Sequence, residues 1–167
     1  MTPTASSSTA GPPTARLPAV VLEDLCTFRI EFSDTHVQPT PVGTLVTYVV
    51  GSGRCEGDRL HGDFLPVGGD WVVVGSDRIA RLDVRAILRT DDGALITITS
   101  TGRARLDDDA MARLAAGELI RADQMYARSS PLFQTGDERY AWLNSLHTVA
   151  VNQFSLREVH YDVWAVR

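Results

Sequence analysis

The chain has 167 residues, with 16 basic and 21 acidic side chains and a formal charge of −5. At 44% hydrophobic and 22% charged residues it has the composition of one soluble globular domain. No apolar run of about 18 residues occurs, which excludes a membrane-spanning helix. Every basic side chain is arginine and the arginines are interleaved with acids. The chain therefore offers no basic stripe for nucleic acid and no lysine amine for Schiff-base chemistry. Arginine without lysine is also the habit of GC-rich genomes, those of actinobacteria among them.

Residues 1–16 are built from Ser, Thr, Pro, Ala and Gly. They lack the charged and apolar regions of a secretory signal. They are expected to form a disordered tail, leaving 17–167 as the folded domain of a cytoplasmic protein. Cys26 and Cys55 form no Cys-x-x-Cys pair; two buried thiols are the favoured reading and a disulfide between them is the alternative.

From Cys26 onward the dominant period is two, which places successive side chains on opposite faces of a strand. Cys26, Phe28, Ile30 and Phe32 alternate with polar residues, and Leu45–Val50 follows as a second strand. Gly51-Ser52-Gly53 reads as a corner before a strand at Arg59–Leu65. Pro66-Val67-Gly68-Gly69 reads as a loop before another at Trp71–Val74. Gly75-Ser76-Asp77 is a further corner. Ala80, Leu82, Val84, Ala86 and Leu88 mark one face of the next strand, and Thr90-Asp91-Asp92-Gly93 turns it into the strand around Ile96 and Ile98. The period then changes. Asp107-Asp108-Asp109 precedes Ala110, Met111, Leu114 and Ala115 and ends at Gly117, the pattern of a short helix with an acidic start and a glycine stop. Strands are expected again at Gln124–Ser130, Thr148–Phe154 and Val159–Ala165. About nine short strands and one helix predict an all-β antiparallel barrel or sandwich, and the barrel is preferred because closure removes exposed edges.

Several stretches in order carry a family likeness. They are Glu56-Gly57-Asp58-Arg59-Leu60-His61-Gly62-Asp63-Phe64-Leu65-Pro66-Val67-Gly68-Gly69-Asp70-Trp71, Leu82-Asp83-Val84-Arg85, Thr90–Ala94, Tyr126–Phe133 and Tyr140-Ala141-Trp142-Leu143-Asn144. Together they resemble the DUF3237 family, also called UPF0311, from about Leu25 to Val166. The chain departs from that pattern at Cys55, Asp58 and Val67, all around the first loop. The resemblance implies a single antiparallel up-and-down β-barrel of about 8–10 strands with one short helix. For some members it implies a place in natural-product pathways.

The candidate site follows from the ionisable and aromatic residues in these stretches. Asp83 and Arg85 share a strand face and suit an acid with its electrostatic partner; a polar outer wall that also holds Arg81 and Arg89 is the alternative. Arg128 shares a face with Tyr126 and Ser130, and an arginine inside a barrel requires a partner such as Glu56, Asp70 or Asp83. Trp71, Tyr126, Trp142, Tyr161 and Trp164 could line a cavity for a flat ligand or fill a core; Asn144 joins the substrate-binding set. His36, His61, His147 and His160 show no metal-ligand spacing, so no metal is expected; His61 and His160 are alternative general bases. Neither a Gly-x-Ser-x-Gly elbow nor a nucleotide fingerprint is present.

The expectation is a barrel that binds one small organic molecule, with no cofactor and with neither nucleic acid nor a membrane as partner; a homodimer is compatible with it. As an enzyme it would cyclise or isomerise a polyketide-like intermediate. Glu56, Asp70 and Asp83 would supply acid and base, and Arg85 and Arg128 would stabilise charge. Trp71, Tyr126, Trp142, Asn144 and Tyr161 would hold the substrate. The alternatives are a carrier or pathway partner without chemistry, and an interaction protein with a filled core.

Overall fold

A computed structural model of the protein describes residues 18–167; the tail expected at 1–16 lies outside the described residues. Eight strands run β1 Leu22–Thr40, β2 Gly43–Glu56, β3 Gly62–Val74, β4 Ile79–Thr90, β5 Leu95–Arg105, β6 Ala127–Gln134, β7 Thr148–Phe154 and β8 Glu158–Val166. Each pairs antiparallel with the next, and β8 pairs with β1, so the sheet is a closed up-and-down barrel. Helix α1, Asp108–Ala115, follows β5, and a 3-10 helix, Glu138–Ser145, follows β6.

The alternation seen in the sequence is the alternation of the barrel wall. In β4, Ala80, Leu82, Val84, Ala86 and Leu88 are all buried, whereas Arg85 and Arg89 are exposed. The β4–β5 ladder is unbroken from Ile79↔Arg105 to Arg89↔Leu95. At the opposite extreme, β6 and β7 pair only at Arg128↔Val151 and Ser129↔Ala150.

Three local expectations are corrected. Gly51-Ser52-Gly53 is no corner but part of β2. The register slips there, and a Cβ on Gly53 would come within 2.7 Å of the Arg29 carbonyl oxygen. Pro66–Gly69 likewise stays inside β3, merging two expected strands into one. It forms a bulge between the pairs Phe64↔Leu88 and Gly68↔Ala86, where a proline without an N–H is tolerated. Gly68 takes φ +91° against the Arg85 carbonyl, a conformation that favours glycine. The strand expected at Gln124–Ser130 is displaced to Ala127–Gln134, because the Gln124 side chain accepts from Arg121 N at 3.1 Å and folds 121–124 into a turn.

The two ends of the barrel differ. Near the end where β5 begins, the lumen is filled. Phe28 packs edge-on against Phe64 and Phe133, with centroids at 5.1 and 6.3 Å, and tilted against Tyr161 at 5.6 Å. Leu143 and Tyr140 of the 3-10 helix are buried with this cluster. Near the end where β5 finishes, α1 lies across the opening. Asp107 caps it by accepting from Ala110 N at 2.9 Å, an interaction that contributes about 1 kcal/mol. Its Ala110 and Leu114 turn inward. Cys26 and Cys55 are free, buried thiols in the filled half.

Candidate functional site

Between the filled half and α1 the barrel encloses a cavity of about 260 Å³. Its walls are chiefly aliphatic and aromatic, among them Phe32, Val46, Val72 and Leu82, and its roof is Leu106 with Met111 and Leu114 of α1. Five polar side chains line it: Thr44, Tyr48, Asp70, Asn152 and Tyr161. Among the described residues no arginine or histidine does.

Asp70 enters the cavity because it shares the inward parity of Val72 and Val74 on β3. It sits between Tyr48 of β2 and Val84 of β4 in register. The β3–β4 pairs resume only at Val73↔Arg81, and in the gap the Asp83 N–H donates to Asp70 Oδ1 at 3.0 Å. Burial in an apolar wall raises the Asp70 carboxyl to about 7. The Asp83 N–H opposes that rise and the Asp83 charge adds to it. Desolvation, with Asp70 nearby, pushes the Tyr48 phenol up to about 12 and the Tyr161 phenol upward as well. Both phenols therefore keep their protons near neutrality and act as donors.

Asn152 occupies the facing wall. In a ring of eight strands β3 and β7 are four places apart by either route, so the two residues line the lumen from opposite sides. Asn152 is 2% exposed and pairs in register with Tyr161. Its Oδ1 accepts from Ser129 Oγ at 3.1 Å, and its side chain lines the cavity.

The remaining expected residues lie elsewhere. Asp83 and Arg85 are on the outer wall, joined at 3.3 Å, because the apolar parity of β4 takes the inside. Trp71, 39% exposed, is also outside, with the Arg85 guanidinium 5.8 Å from its ring. Arg128 is not inward: it lies outside β6 above the Tyr126 ring at 5.1 Å and donates to the Ala127 carbonyl at 2.8 Å. Inward parity there belongs to Ala127 and Ser129. Glu56 is exposed at the end of β2. Trp142 lies under Arg59 at 4.0 Å, and Asn144 exchanges hydrogen bonds with Thr135 at 2.9 Å; both stand at the filled end. Trp164 faces away from the lumen, opposite in parity to buried Val163 and Ala165. His61 bonds Asp91 at 2.8 Å and His160 bonds Glu158 at 2.8 Å, both outside the cavity. Of the expected set the structure brings only Asp70 and Tyr161 together. The sequence reading did not single out Tyr48 or Asn152. Their signal was a polar side chain on the apolar parity of a strand: Val46-x-Tyr48-x-Val50 and Ala150-x-Asn152-x-Phe154.

Residues 20–166 match the model of the family described as "Protein of unknown function (DUF3237)". The chain belongs to the DUF3237 family. A UPF0311 protein of Clostridium acetobutylicum is 33% identical over 92 residues, a match covering 55% of this chain and 58% of that protein. The chain thus spans less than two thirds of that relative. The DUF3237 barrel is also similar to solved structures. One is a conserved protein of unknown function from Rhodopseudomonas palustris, with TM-score 0.83 and 23% identity, covering 91% of this chain and all of that one. Another is a beta-barrel like protein from Acinetobacter baumannii, with TM-score 0.76 and 28% identity, covering 91% of this chain and 99% of that one. An enzyme from Penicillium herquei shares the fold at TM-score 0.68 and 18% identity, covering 92% of this chain and 98% of that one.

Proposed function

We propose that this DUF3237 barrel binds a small, largely apolar organic molecule and rearranges it by proton transfer at Asp70, as a cofactor-independent isomerase or cyclase of a polyketide-like intermediate. The observation that carries the reading is a carboxyl held near pKa 7 inside an apolar cavity. A group whose pKa lies close to the working pH is suited both to take and to return a proton, and such a group contributes about 10²–10⁴-fold to rate. The protonated phenols of Tyr48 and Tyr161 and the amide of Asn152 offer donors to charge that develops on the substrate. That a barrel of this fold serves as an enzyme in Penicillium herquei is a fold-level analogy in the same direction.

The test is incubation of the protein with a metabolite extract of its own organism lacking the gene. One metabolite is expected to change without change of mass, and Asp70→Asn is expected to stop the change. A second reading, a carrier without chemistry, is favoured by the aliphatic walls. It predicts that a metabolite binds and returns unaltered, the result that would overturn the catalytic reading.

A further inference from the structure

We infer that Asn152 is the group that holds a carbonyl oxygen in this cavity, that Ser129 positions it, and that the ligand is therefore an uncharged conjugated carbonyl compound. The inference rests on the proton-transfer reading above and adds the identity of the acceptor and the class of molecule.

A primary amide has one acceptor oxygen and two donor hydrogens. At Asn152 the oxygen is engaged by the Ser129 hydroxyl, itself only 5% exposed. With its oxygen so engaged, the amide has its two N–H donors left for whatever the cavity it lines contains. Among the described residues no protein acceptor bonds the amide nitrogen, and it borders the cavity; a ligand that displaces water there without accepting from it leaves an unpaired donor, at about 1–3 kcal/mol. A ligand that fills the cavity is therefore favoured when it carries an acceptor at this point. Tyr161, its cross-strand neighbour, adds a hydroxyl donor on the same wall.

The lining then sets the charge of the ligand. A carboxylate or phosphate ester would lose its hydration without meeting a cation, since no arginine or histidine among the described residues lines the cavity, and would share the space with Asp70. An ionised group so placed is strongly disfavoured. A carbonyl compound avoids that cost and still satisfies the amide.

The geometry also orders the step. The Asp70 carboxylate takes a proton from the carbon beside the carbonyl, and the C–H electron pair moves through the conjugated system to oxygen. Asn152 Nδ2–H meets the charge on that oxygen from the opposite wall. The proton held by Asp70 then returns to a different carbon as the electrons flow back. The product is an isomer, and no oxidant, reductant or co-reactant is consumed.

The test uses three probes of one shape: 2-acetylnaphthalene with a ¹³C-labelled carbonyl, 2-ethylnaphthalene and 2-naphthoate. Calorimetry measures binding, and infrared spectroscopy measures the carbonyl stretch of the bound ketone. The ketone should bind more tightly than the other two, with its stretch moved to lower frequency. Ser129→Ala should weaken ketone binding by about three- to tenfold, the loss of one buried hydrogen bond's worth, and reverse much of the frequency shift. Asn152→Leu should do the same, with hydrocarbon binding unchanged in both, and Ser129→Thr should restore the shift. Unchanged hydrocarbon binding shows that the barrel remains folded. A bound ketone whose stretch is indifferent to both residues, or preference for naphthoate, overturns the inference and leaves the Asp70 reading standing. Failure of all three probes to bind overturns both.

Discussion

Asp70 and Asn152 line one cavity from strands four places apart in the ring of eight. One is a carboxyl shifted toward neutrality, the other an amide whose direction is fixed by Ser129. A proton acceptor and a fixed donor separated by an apolar space are the elements of acid–base chemistry on a bound molecule.

The raised Asp70 carboxyl has a consequence for stability. It titrates near 7 in the folded protein and near 3.8 when its surroundings are lost, so between those values the folded state binds more protons. Stability therefore falls as pH rises from about 4 to about 7 and then levels. Asp70→Asn should remove that slope and stabilise the protein at pH 8 by on the order of a few kcal/mol. Urea midpoints of both proteins at pH 5 and pH 8 check this; parallel pH dependence in the two would contradict it.

Asp83 acts on Asp70 through the barrel wall. Its N–H holds the Asp70 carboxylate while its own charge raises the Asp70 pKa. Asp83→Asn keeps the N–H and removes the charge, so the Asp70 midpoint should move to lower pH, as followed by carboxyl ¹³C shifts. Arg128→Gln, on the outer wall of β6, should leave both that midpoint and probe binding unchanged.

The mouth of the cavity runs past α1. Met111 is 45% exposed and still lines the cavity, so Met111→Trp should slow probe association without lowering the melting temperature. Leu114 is 6% exposed; Leu114→Ala should cost about 2–5 kcal/mol. Stopped-flow association rates and thermal melts separate the two effects.

Contact with the Cys26 thiol, together with burial, pushes the Cys55 thiol well above its ordinary range. A thiolate is the reactive form. Both thiols are buried, so neither should be modified by an aromatic disulfide reagent in the folded protein, and both should be modified in denaturant. Intact mass after brief exposure reads this directly, and rapid labelling of the native chain would refute it.

The barrel was legible in the sequence because its inner and outer residues alternate almost without interruption. Hairpin chemistry was legible where a glycine adopts positive φ, as at Gly93. The bulges at Gly51 and Gly68 were misread as loops, because glycine marks close backbone approach as readily as it marks a turn. For the site, periodicity already set Asp83 and Arg85 beside Arg81 and Arg89 on the outer face, and the family likeness weighed against that reading. Asp70 stood out through the likeness, yet its parity with Val72 and Val74 carries the same message. Asn152 was passed over because one polar residue in a strand looks ordinary until the parity of its neighbours is counted. The 3-10 helix at Glu138–Ser145 has neither strand nor α-helical period, and only its packing of Tyr140 and Leu143 under the barrel gives it a purpose.

The narrow join between β6 and β7 gives the barrel a last stave. Ser129 stands on one side of it and Asn152 on the other, so the amide acquires its orientation only once the hoop is complete. A chain with the other seven joins formed would be a curled ribbon already holding Asp70, yet with no fixed donor opposite. Fixing of the amide and closure of the hoop are thus one event, and pulsed deuterium labelling during refolding should show Ser129 and Ala150 gaining protection together.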